Sequence, residues 1–207
     1  MGGLVKRKIL VGLGFALLAM SAFADEADVF KSATAGFEIT KPSDWQFATA
    51  EQTQENLKRT ELKDKEFHAA MLKYSTAPLV AIVKFPEPFD DLNPTLKVNI
   101  KPFGPLKGTP PTKILDLLMP QFEKAFQDFA VVVPPSQAKV AGLDAGYMRI
   151  NFSMQVPDGR TFPTSSELWI VPRGDYFFMI GAGTRQDEKT GSRKELQAIL
   201  DTIRIAE

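Results

Sequence analysis

The chain has 207 residues, with 25 Lys and Arg against 25 Asp and Glu, one histidine and no cysteine. Without cysteine there is no disulfide, thiol nucleophile or thiolate metal site. A balanced charge with no basic stripe argues against nucleic acid as a partner, and the length suits one ordinary domain with its own core.

Residues 1–24 have the layout of a secretory signal. Lys6, Arg7 and Lys8 precede an apolar run over residues 9–20, and Ala22-Phe23-Ala24 follows as a small-residue cleavage pattern. The run is shorter than the ~20 residues needed to span a bilayer. The sequence therefore predicts cleavage near Ala24 and no stable membrane insertion afterwards. Residues 25–207 then form a single domain, with 22 basic against 25 acidic residues. No cysteine follows the run to carry a lipid, and an exported chain without disulfides fits a bacterial periplasm.

Residues 25–35 read as a short leader. Phe37 and Ile39 alternate with Glu38 and Thr40, which predicts a strand ended by Pro42-Ser43-Asp44-Trp45. Residues 46–48 start a second short strand. Thr49 and Gln52 have capping-box spacing, opening a helical segment over residues 50–73. Its apolar positions (Leu57, Phe67, Ala70, Met71) are sparse, so its first half should face solvent and be loosely held. Leu79-Val80-Ala81-Ile82-Val83 is an inner strand. After a proline-spaced loop, Leu96, Val98 and Ile100 alternate with Lys97, Asn99 and Lys101 as a half-exposed strand. The loop over residues 102–111 is too rich in proline and glycine for regular structure.

The main helix is predicted over residues 112–129, with Ile114, Leu115, Leu118, Phe122, Ala125, Phe126 and Phe129 on one stripe. Pro120 should kink or split it. A short strand over residues 137–140 precedes a turn at Gly142. A three-strand meander follows. Met148, Ile150, Phe152, Met154 and Val156 alternate with Tyr147, Arg149, Asn151, Ser153 and Gln155. Residues 167–171 turn Leu168 and Ile170 one way and Trp169 the other, and residues 176–180 are apolar throughout. Pro157-Asp158-Gly159 and Pro172-Arg173-Gly174 make the two turns. Small residues at Gly181-Ala182-Gly183 end the last strand. Ser192 and Glu195 form a second capping box before Leu196, Ile199, Leu200 and Ile203 at helical spacing. The fold class is α+β, an antiparallel sheet flanked by helices.

The opening Gly36-Phe37-x-Ile39-x-x-Pro42-x-x-Trp45 resembles the start of domains in the PsbP/Mog-type superfamily. That group includes the extrinsic photosystem II protein, the Mog-type Ran-binding proteins and DcrB-like exported bacterial proteins. The strand over residues 79–83, the loop carrying Asn93, the meander and the last helix continue the match along the chain after residue 24. The resemblance implies an α/β/α sandwich and a non-enzymatic role in binding or assembly. Many relatives end in a Ser-Phe pair where this chain has Arg204-Ile205, and nothing matches the manganese-cluster-facing parts of the photosystem protein.

The residues carry no reaction signature. His68 has no second histidine for zinc, and no G-x-S-x-G accompanies it. Asp90, Asp91 and Asn93 offer oxygen ligands, but an ordinary turn explains them better than a Ca²⁺ loop. Gly181-Ala182-Gly183 lacks the third glycine and the βαβ setting of a nucleotide loop. Asp187 and Glu188 read as helix-terminus charges. Arg173-Gly174-Asp175 belongs to a hairpin turn, and the glycosylation sequon at Asn151 lies mid-strand. No cofactor is implied.

What remains is a polar strand face. Arg149, Asn151, Lys97, Asn99 and Lys101, with Trp169 and Tyr147 as exposed aromatics on or near it, are the candidate binding residues. The reading is an exported accessory protein that binds a protein partner. The alternative is a small-molecule or lipid carrier with an apolar cavity beneath the helix over residues 112–129.

Overall fold

The computed structural model describes residues 26–74 and 76–206 of the chain; the export signal read over residues 1–24 lies outside them. In chain order the strands and helices are β1 (Val29–Ser32), β2 (Phe37–Thr40), β3 (Gln46–Phe47), α1 (Ala50–Lys58), α2 (Lys65–Tyr74), β4 (Val80–Val83) and β5 (Thr95–Pro102). They continue with α3 (Pro111–Ala125), β6 (Gln127–Val140), β7 (Leu143–Gln155), β8 (Thr161–Arg173), β9 (Tyr176–Arg185), α4 (Arg193–Leu200) and β10 (Arg204–Ile205). Seven strands form one sheet in the order β3-β4-β5-β9-β8-β7-β6, and β1-β2-β10 form a second, smaller sheet. Every strand pair is antiparallel.

The two faces of the large sheet are both covered, by different elements. On one face α3 lays Ile114 and Leu115 against Met148, Ile170 and Phe177. On the other, α4 and the small sheet bring Leu196, Ile199, Phe37 and Ile39 onto Val98, Ile180, Trp169 and Phe178. Alternation along the strands sorts each residue to one side. Phe177 and Phe178 go to opposite cores, so β9 is buried on both faces as its continuous apolar run predicts. The approach of α3 is very close: a Cβ on Gly146 of β7 would lie 2.7 Å from the Pro111 carbonyl carbon. Only glycine fits there.

Several elements differ from expectation. The leader contains β1, which pairs with β2. The polar helix is two helices. Its capping box at Thr49 and Gln52 is present, but the chain breaks after α1. There buried Leu62 turns inward, Glu61 bridges to Gln155, and Asp64 caps α2 by accepting from the Glu66 and Phe67 amides. Pro120 does not split α3. Pro120 and Asp116 are both exposed, so the carbonyl that proline leaves unbonded faces water. The helix ends earlier than its apolar stripe because Phe126 takes an extended conformation, and its ring stacks on Phe152 at 4.1 Å.

The strand after it is one long β6 rather than a short segment. Three register shifts bend it, and Pro134-Pro135 sit within it. Proline is tolerated because β6 is the sheet edge, where one side needs no ladder donors. In β9 the Gly181-Ala182-Gly183 run lies inside the strand, not at its end, opposite Leu168, Glu167 and Ser166. The first turn holds as read, with Gly159 at φ 88°. In the second, Pro172 and Arg173 pair with Phe177 and Tyr176 within the sheet, so Gly174 (φ 58°) and Asp175 alone turn the chain. The final helix has its Ser192–Glu195 capping box. No helix among the described residues is long and apolar enough to cross a membrane.

Candidate docking site

Register decides which candidate residues meet. Tyr147 lies opposite Trp169, Trp169 opposite Ile180, and Ile180 opposite Val98, so these four share the α4 face. Arg149 lies opposite Glu167, and Asn151 opposite Ser165, on the same face. Lys97 lies opposite Ala81 and Gly181, whose further neighbours Leu168 and Met148 point to α3. The polar face read from the sequence is therefore two faces. Arg149, Asn151 and Tyr147 form one; Lys97, Asn99 and Lys101 lie on the other. Lys97 is not part of the cluster, and burial lowers the pKa of its ammonium, with Glu87 opposing weakly.

Trp169 is also corrected. It is only 5% exposed and belongs to the core, where it packs on the Tyr147 ring at 5.1 Å between centroids. It supports the site from below rather than presenting a surface.

The sequence reading missed two members. Glu167, 5% exposed, is one of the few buried charged side chains, and its Oε1 accepts from the Tyr147 hydroxyl at 2.6 Å and from Arg193 Nη2 at 2.9 Å. The signal was available, since Glu167 stands two residues before Trp169 and must share its face. Arg193 follows the Ser192 cap and is carried over the sheet by α4, a long-range placement that spacing does not reveal. Burial first, and Glu167 second, push the Tyr147 hydroxyl up to about 12. The hydrogen bond that Arg193 donates to Glu167 raises the Arg193 pKa. Tyr147 is thus a firm donor and Arg193 a fixed cation. The arrangement holds charge and hydrogen bonds.

Around that network three polar atoms are sealed from solvent without a hydrogen-bond partner: Arg149 Nε, Asn151 Oδ1 and Arg193 Nε. No guanidinium nitrogen of Arg149 has a partner among the described residues. Two other arginines of the meander behave differently. Arg185 pairs with Asp91 and Asp187, and Arg160 with Asp90 and Asp158. These pairs tie the loop carrying Asn93 to the end of the meander. Asn93 closes that loop by accepting from the Phe85 amide and donating to its carbonyl. Asp90 and Asp91 are thus engaged by arginine, and no metal-binding group of His, Asp or Glu occurs among the described residues. His68 lies on α2 with its Nε2 sealed and unpartnered.

The alternative carrier reading needs an apolar cavity beneath α3. That space is filled by Phe103, Leu115, Met148, Ile170 and Phe177. The two best-formed depressions, of about 210 and 220 Å³, lie elsewhere, beside Phe47 and Leu79 and beside Lys41 and Ala198.

Sheet, helices and polar strip together define an α+β fold with a half-buried polar stretch of strand on its α4 side. No protein-family profile and no curated protein sequence matches the chain. Its structure is similar to the solution structure of cyanobacterial PsbP (CyanoP) from Synechocystis sp. PCC 6803. The TM-score is 0.50 at 12% identity, covering 91% of this chain and 99% of that one. It is also similar to LpqN of Mycobacterium tuberculosis, described as involved in cell envelope biogenesis. There the TM-score is 0.49 at 15% identity, covering 88% and 87% of the two chains. A protein from Bacteroides thetaiotaomicron VPI-5482 matches with TM-score 0.45 and 18% identity over 88% of this chain, which spans only 50% of that protein's length. The domain is PsbP-like in fold, as its sequence pattern implied.

Proposed function

We propose that this is an exported, non-enzymatic accessory protein that docks a protein partner on the α4 side of its sheet, assisting an envelope-associated assembly. The observation that carries the reading is the strip formed by Tyr147, Arg149 and Asn151. These residues are half-buried, lie beside a rigid Tyr147–Glu167–Arg193 network, and include an arginine with no partner of its own. Arg149 Nε is a buried donor left without a partner, which costs the isolated fold, and arginine is among the residues that dominate binding surfaces. The signal-like residues 1–24 favour export, and the absence of a general base or nucleophile at the strip favours binding over catalysis. The packed space under α3 gives the carrier reading no support.

The test is affinity capture of the tagged protein after mild crosslinking in its native cells. One envelope protein should be recovered in stoichiometric amount, and its yield should fall when Arg149→Ala is introduced. Capture that is indifferent to Arg149→Ala and to Tyr147→Ala places docking elsewhere and defeats this reading.

A further inference from the structure

We infer that the docked partner presents a carboxylate from an acidic segment, held between Arg149 and Arg193; this rests on the docking reading above. The first argument is charge. Two guanidinium groups face one carboxylate, Glu167, whose Oε1 already accepts from both Tyr147 and Arg193. Arg149 sits directly opposite Glu167 in the strand register, yet makes no ion pair with it. Arg149 is thus left without a counter-ion, while Glu188, the other carboxylate nearby, is engaged by the Arg193 backbone amide.

The second argument is geometry. A guanidinium is a planar fork of donors that matches a carboxylate bidentately, so an unpaired one is a specific complement to that group. Both Nε atoms are buried, and the remaining Arg149 nitrogens stay open to solvent. Glu167 and Tyr147 hold Arg193 in place before a partner arrives.

The third argument selects an acidic segment over a free anion. The strip is half-buried rather than enclosed in a pocket, and neither of the two best-formed depressions touches it. A small anion there remains hydrated and screened, and such exposed contacts contribute little. A protein segment brings its own surface. Val133 and Ser136 of β6 lie opposite Arg149 and Tyr147 and offer a small, partly apolar border for it to cover. Covering the border excludes water from the ion pair and strengthens it.

The experiment follows the arginine Nε–H resonances of the exported protein, labelled with heavy nitrogen on arginine, by NMR. It is titrated separately with a peptide of alternating glutamate and valine and with inorganic phosphate. The peptide should shift the Arg149 and Arg193 resonances saturably and leave those of Arg160 and Arg185, already paired with aspartates, in place. Arg149→Gln should weaken peptide binding roughly tenfold, as loss of a charge-assisted hydrogen bond does. Arg149→Lys, which keeps the charge without the fork, should fall between. Should Arg149→Gln fail to fold, the wild-type titration and the lysine variant decide the matter. Absence of any shift, or equal shifts with phosphate, overturns the assignment. So does a peptide affinity unchanged in Arg149→Lys. If partner capture still depends on Tyr147 while these titrations fail, docking stands and only the carboxylate assignment falls.

Discussion

Titrating the protein between about pH 9 and about pH 12 perturbs the docking strip through one side chain, Tyr147. The chain has three tyrosines, and burial together with Glu167 moves the Tyr147 hydroxyl from 10.0 to about 12. The folded pKa lies above the unfolded value. Its contribution to stability is therefore fully present below about pH 10 and is lost as pH rises toward about 12. At 1.36 kcal/mol per unit, two units correspond to at most about 2.7 kcal/mol. Because Tyr147 is only half-buried, solvent screening reduces this to roughly 1 kcal/mol. Ultraviolet difference spectra should show one tyrosine ionising about two units above the ordinary value, and Tyr147→Phe should abolish that step alone. Glu167→Gln should lower it without abolishing it, since burial is the larger cause. A Tyr147→Phe variant that retains the late step would refute the network as described.

Other perturbations separate structure from docking. Gly146→Ala places a Cβ 2.7 Å from Pro111 and forces the start of α3 off the sheet. That should cost about 1–3 kcal/mol, seen as a fall of several degrees in the thermal midpoint. Gly181→Ala meets nothing within 4 Å and should be neutral or mildly stabilising in the same assay. Lys97→Met removes a charge that burial disfavours, so stability should hold or rise. Partner binding should not change, because Lys97 lies on the α3 side. Glu167→Ala leaves Tyr147 and Arg193 without their shared acceptor. Denaturant unfolding should record a loss of about 2 kcal/mol, moderated by the partial exposure of Arg193.

Much of the architecture was legible because period and turn chemistry agree with each other. The meander strands alternate with period two, and glycine stands at positive φ in both turns. Both capping boxes form at the spacings read from Thr49 and Ser192. What failed was whatever depends on neighbours distant in sequence. Alternation shows that Arg149 and Lys97 each point away from an apolar set, but it cannot say that those sets face opposite layers. That follows from the order β5-β9-β8-β7, in which Lys97 aligns with Leu168 and Arg149 with Glu167. Trp169 looked exposed because Leu168 and Ile170 take the other side of the strand, yet the small sheet and α4 bury it. Arg193 reaches the strip only through the placement of α4. The break between α1 and α2 was partly visible, since Asp64 is an acceptable cap, but the burial of Leu62 that enforces it was not.

The most direct measurement puts a photo-crosslinking amino acid at Asn151 or, separately, at Asn99, and irradiates each variant in its native cells. The two positions lie on opposite faces of the same sheet. The account predicts a discrete adduct from position 151, suppressed by Arg149→Ala, and none from position 99. An adduct from position 99 alone, or none from either while capture of the partner persists, would contradict it.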